Sequence, residues 1–216
     1  MMSQQPDLAH WEAQFAAFLA HHQSASDAAH DEQHIRRVVA NARALALIEQ
    51  AELAVILPAA WLHDCVIIAK DSPLRATASR LAAQRAVEFL ATSGYPSAFL
   101  PAIYHAIEAH SFSANIAPRS REAMIVQDAD RLDALGAIGL ARCLMLGGAM
   151  QRRLYDPHEP LPQTRPLDEQ QNTLDHFYTK LLLLADRMNT AAGRAEASKR
   201  TAFIEAFLAQ LASELP

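Results

Sequence analysis

The sequence predicts an all-α fold of roughly nine helices in a single domain spanning its 216 residues, and three observations carry that prediction. Apolar residues recur at helical spacing from end to end. Ala and Leu, both strong helix formers, dominate, while there are only 6 Gly where average usage gives about 15. The two-residue alternation of strands is missing, apart from residues 123–126, which read as helix or as brief β structure.

The elements follow in order. Residues 7–22 carry Trp11, Phe15, Phe18 and Leu19 on one helical face, and residues 22–29 read as a polar connection. Asp31 starts or caps a second helix whose apolar face is Ile35, Val38, Val39, Ala42, Leu45 and Ala46. A third helix is expected over residues 52–68, with Pro58 predicting a kink or a late start. Asp71-Ser72-Pro73 is a break. The next helix covers residues 75–91 and stops at Ser93-Gly94-Tyr95-Pro96, and a fifth covers 97–110 before a loop at 111–120. Helices are expected over 121–135 and 136–154. Residues 156–166 hold Pro157, Pro160, Pro162 and Pro166 and form the one long non-helical stretch, a kind of loop that is often functional. Two closing helices, 167–188 and 194–215, are expected to pack on the rest.

Composition narrows the function. Formal net charge is -5, which disfavours coating of duplex nucleic acid and leaves room for one small anion pocket. Cys65 and Cys143 are the only cysteines, far apart, so a reducing, cytoplasmic setting is expected rather than a disulfide framework. No apolar run approaches the roughly 18 residues of a membrane span, and residues 1–10 lack a signal-peptide pattern.

Four positions stand out chemically: His34, the pair His63-Asp64, and Asp130. The pair interrupts the apolar run Ala59-Ala60-Trp61-Leu62 before Cys65-Val66-Ile67-Ile68, so it is expected to be largely buried. A buried carboxylate needs a partner, either an ion pair or a metal. Imidazole and carboxylate together suit borderline or hard divalent metals, and two of each leave about two positions open on a six-coordinate ion. The competing reading is that His63 and Asp64 only cap and pair inside a helical core. His30-Asp31, a second such dipeptide at a helix start, reads as capping.

The order of these motifs is more specific than any one of them. Asp-x-x-His-x-x-Arg-Val surrounds His34, Leu-His-Asp follows 29 residues later, and Asp128-Ala129-Asp130-Arg131-Leu132-Asp133 closes the series. The series resembles the HD superfamily of metal-dependent phosphohydrolases, most closely its stand-alone bacterial members, over about residues 29–138. The resemblance implies a helical bundle with one divalent metal per chain (Mn, Ni, Co, Fe, Zn or Mg) held between helices by His34, His63, Asp64 and Asp130. Asp128 competes for the last role. Two residues apart on a helix, Asp128 and Asp130 point roughly 200° apart, and the family places its ligand immediately before Arg-Leu, which selects Asp130.

The implied reaction is hydrolysis of a small phosphorylated substrate, a nucleotide. Asp64 is expected to orient or deprotonate the attacking water. His110 is expected to protonate the leaving group or contact a phosphate. Lys70, Arg75, Arg131, Arg37 and His105 are candidate substrate-binding groups, and the 156–166 loop with Arg165 is a candidate cover for a longer substrate. Several cations favour a nucleoside triphosphate split into monophosphate and pyrophosphate over a phosphomonoesterase. Two further alternatives are a di-iron oxygenase of the same superfamily and a non-catalytic module that senses a nucleotide. His21, His22, His158 and His176 sit in no motif and read as surface or packing residues.

Overall fold

The computed structural model describes residues 5–22, 32–68, 72, 74–111 and 114–215. Among them are nine α-helices, four short 3-10 turns and no strand, only an isolated bridge between Arg153 and Asn172. Residues 123–126, the one β alternative, are helical. No single helix among the described residues is long and apolar enough to cross a membrane. The chain divides into two compact units, Met1–Asp130 and Arg131–Pro216.

The first unit contains α1 (Leu8–His22), α2 (Glu32–Glu49), α3 (Leu53–Leu62), α4 (Ala78–Thr92), α5 (Leu100–His110) and most of α6 (Arg121–Leu132). Its axis is α3, which packs against α1, α2, α4 and α5. Every residue of α3 from Ala54 to Leu62 is buried, as a helix apolar on all sides must be. Pro58 neither delays nor breaks it. The helix starts at Leu53, with the Glu52 side chain accepting from the Ala54 amide. Proline has no N–H to give the carbonyl four residues back, that of Ala54. The Tyr95 hydroxyl donates to that carbonyl instead, at 2.6 Å. Tyr95 is delivered by Gly94, whose φ of +86° suits glycine and turns the chain after α4. The helix expected to reach residue 68 ends at Leu62, because His63 folds back and bonds the Ala60 carbonyl at 2.8 Å. His63-Asp64 therefore sits on the turn that follows the helix.

On α2 the buried face is His34, Ile35, Val38, Val39, Ala42, Leu45 and Ala46, as the periodicity predicts. Asp31, the connection at 23–29 and most of the 69–73 break lie outside the described residues. The fourth and fifth helices open with 3-10 turns, Arg75–Thr77 and Ser97–Phe99, and α6 stops at Leu132 rather than 135.

The second unit holds α7 (Gly136–Ala149), α8 (Asp175–Thr179) and α9 (Ala191–Glu214). Thr190 caps α9 by accepting from the Gly193 amide at 2.9 Å. The helix expected over 167–188 is instead α8 followed by two 3-10 turns, Leu181–Leu183 and Ala185–Arg187. The reason is backbone competition: the amides of Thr173 and Leu174 donate to the carbonyls of Arg153 and Leu154, both at 2.9 Å. Gly147 of α7 permits that close approach, since a Cβ there would fall 2.2 Å from Thr173 Oγ1.

Candidate metal centre

The turn after α3, the first turn of α2, the end of α5 and the end of the first unit's share of α6 bring His63-Asp64, His34, His110 and Asp130 together. His34 Nε2 lies 3.5 Å from Asp130 Oδ1. His63 Nε2 lies 3.5 Å from Asp64 Oδ2 and 3.9 Å from Asp130 Oδ1. His110 Nε2 lies 3.5 Å from Asp64 Oδ1. The three imidazoles stand edge to face, with ring centroids 5.6 Å apart for His34–His63 and 4.9 Å for His63–His110. Two overlapping donor sets have the spacing to hold an ion: His34, His63 and Asp130, and His63, Asp64 and His110.

The protonation of His63 follows from its partners. The Ala60 carbonyl accepts from Nδ1, so Nδ1 carries the proton. Burial, with help from His110 and His34, holds the ring below the usual histidine range against the pull of Asp64 and Asp130. Nε2 is then a bare lone pair, fully buried and without a hydrogen-bond partner. That state costs free energy in an apolar interior. It is also the state of a histidine ligand whose second nitrogen is anchored on a backbone carbonyl. The donor set thus fits a divalent metal. His110 shares the anchoring, with Nδ1 2.7 Å from the Ile107 carbonyl, but titrates the other way. Burial disfavours its charge, yet the Asp64 carboxylate outweighs burial and holds it above the usual range.

The other expected residues are placed as follows. Asp130 lies in the cluster, whereas Asp128, two residues before it, is fully buried. His105 is engaged elsewhere: Nδ1 faces Glu108 Oε1 at 3.0 Å and Nε2 accepts from the Arg119 amide at 2.9 Å. Arg37 is half-buried on α2. Arg131 donates to the Arg187 carbonyl. Lys70 and the side chain of Arg75 lie outside the described residues. The Cys65 thiol donates to the Ala82 carbonyl, and burial together with Asp64 pushes its pKa up to about 12, so it stays protonated. Two residues at the site were not visible in the sequence. Ser79 Oγ donates to the Glu108 carbonyl at 2.9 Å and Gln127 Nε2 to the Ala109 carbonyl at 2.6 Å. The signal that was available is Gln127's place immediately before Asp128 and three residues before Asp130.

The chain is similar to known proteins. Residues 32–135 match a family model described as the HD domain. The uncharacterized protein YpgQ of Bacillus subtilis is 34% identical over 191 residues, 87% of this chain and 85% of YpgQ. The crystal structure of Bacillus subtilis YpgQ in complex with ADP has a TM-score of 0.72 at 33% identity, covering 95% of this chain and 96% of that one. An HD-superfamily hydrolase from Bacillus thuringiensis has a TM-score of 0.70 at 34% identity, covering 94% and 97%.

Proposed function

The chain belongs to the HD superfamily, and from that premise we propose that it is a metal-dependent phosphohydrolase that splits a nucleoside triphosphate into monophosphate and pyrophosphate. One observation carries the reading: the buried, unpartnered Nε2 of His63, faced by Asp64 and Asp130. The ADP bound by YpgQ supports a nucleotide as the substrate class.

His34, His63, Asp64 and Asp130 would hold the metal. When bound, a divalent ion supplies a Lewis acid for a phosphoryl oxygen and lowers the pKa of a water. The protein does the rest. Asp64 presents one oxygen to His63 and the other to His110, so it can orient a water and take its proton while remaining fixed. His110, whose Nε2 lies 3.5 Å from Asp64 Oδ1, is placed to pass a proton to a leaving oxygen. His63 stays neutral and keeps its lone pair available. His34 Nε2 faces Asp130 and steadies that carboxylate from α2.

The test is a screen of the purified chain against nucleoside mono-, di- and triphosphates with Mn, Co, Ni and Mg each supplied, with products resolved by ion exchange. Monophosphate and pyrophosphate in equal amounts are expected. Inorganic phosphate without pyrophosphate, with no contaminating pyrophosphatase, overturns the bond assignment. Activity confined to monophosphates makes the chain a phosphomonoesterase. No turnover with any of them overturns the enzymatic reading.

A further inference from the structure

The last turn of α5 is where helical carbonyls run out of helical donors. Three consecutive carbonyls there are each met by a side chain from a different place. Ile107 is met by His110's own Nδ1 at 2.7 Å, Glu108 by Ser79 Oγ of α4 at 2.9 Å, and Ala109 by Gln127 Nε2 of α6 at 2.6 Å. Ser79 is 2% exposed and Gln127 4%, so each would carry a desolvation cost without these bonds. Both donate to the backbone of the turn that carries His110. Gln127 also precedes Asp130 by three residues and shares its face of α6.

We propose that Ser79 and Gln127 are positioning residues for His110, clamping its turn so that Nδ1 stays on the Ile107 carbonyl and Nε2 stays on Asp64. The catalytic consequence of this clamp rests on the role given to His110 above. The clamp itself rests on the three hydrogen bonds.

Gln127→Met keeps most of the side-chain volume and removes the donor, and Ser79→Ala does the same on the other side. Each should lower kcat about 10- to 100-fold, the scale of a small misplacement of a reacting group, with KM within about twofold and metal content unchanged. In a His110→Ala background, Gln127→Met should add less than about twofold, because the group it positions is gone. A second measurement needs no turnover. In the full chain labelled with 15N-histidine and loaded with diamagnetic Zn(II), the Nδ1–H resonance of His110 should be slowly exchanging in wild type and broadened or lost in both variants. An undiminished effect of Gln127→Met in the His110→Ala background overturns the proposal, and so does an unchanged resonance in the two variants. If wild type hydrolyses no nucleotide, the proposed function fails alone and the resonance decides the clamp.

Discussion

Asp175 of the second unit and His63 of the first are both fully buried polar groups, yet one is closed and the other open. Asp175 takes two hydrogen bonds from the Arg165 guanidinium, each 2.6 Å, and a third from the Asp168 amide at 2.7 Å. His63 has one nitrogen anchored and the other with no hydrogen-bond partner among two imidazoles and two carboxylates. Satisfaction of buried polar groups is the rule; Asn172 Oδ1 and Thr201 Oγ1 also lack a partner, and what sets His63 apart is that its bare nitrogen stands in a His/Asp cluster with the spacing to hold an ion. The comparison also shows what holds the one cation of the 156–166 loop. Arg165, read in the sequence as part of a candidate cover for substrate, is engaged with Asp175. The loop around it is tied internally, with Glu159 accepting from the Gln163 amide at 2.5 Å and from the Thr164 amide at 2.6 Å.

If the open group is the functional one, its loss should remove activity and metal while sparing the fold. His63→Ala or Asp64→Ala should reduce hydrolysis by about a thousandfold or more and abolish metal in elemental analysis. Asp130→Ala should do likewise, whereas Asp128→Ala should retain metal and cost stability instead. Full metal content in His63→Ala would place the ion elsewhere.

The closed group should respond in reverse. Arg165→Ala leaves a buried carboxylate without its guanidinium and should destabilise by about 3–5 kcal/mol in denaturant titration. Metal content should not change. Acid sharpens the contrast. Burial pushes the Asp175 carboxyl up, but Arg165 and the Asp168 amide outweigh it and hold it below the usual range. A depressed carboxyl stabilises fully above its ordinary pKa near 3.9 and stops doing so as pH falls through its lower folded value. Asp175→Asn should therefore melt well below wild type at pH 7 and converge with it in strong acid. A constant gap across that range would assign the stability to shape rather than charge.

Chelation probes the open group without a mutation. At a metal concentration of 100 Kd, binding to the folded state alone adds about 2.7 kcal/mol, so stripping the ion should lower Tm by roughly 5–10 °C and leave a folded chain. The smallest expected change belongs to a third kind of group, a carbonyl rescued by a neighbour. Tyr95→Phe should cost about 1–2 kcal/mol in thermal melts by unpairing Ala54, with metal content intact.

The residues of the candidate metal centre were legible from motifs that follow one another in the sequence. The His-Asp pair alone reads equally well as a capped pair in a helical core, and Asp130 was selected over Asp128 by the resemblance to the HD superfamily, which rests on the order of the three motifs. His110 was legible only as the end of a helix. What the sequence did not carry was partnership at a distance. Arg165 looked like a free cation because Asp175, which holds it, lies ten residues away within a segment that reads as helix. That segment failed as a helix because its amides bond Arg153 and Leu154, a pairing no periodicity encodes. His105 likewise looked available until Glu108 and the Arg119 amide took both its nitrogens.

The burial of α3 has a consequence for time as well as structure. Its backbone is surrounded by four other helices, so its amides can meet water only when those helices separate. Hydrogen exchange at Leu57, Ala60 and Leu62 should then proceed through global opening alone, an event that also parts the helix preceding His63 from the helices that bring His34 and His110 to it. The exchange rate of three apolar residues would thus set a lower limit on how often the helices that assemble the His/Asp cluster come apart.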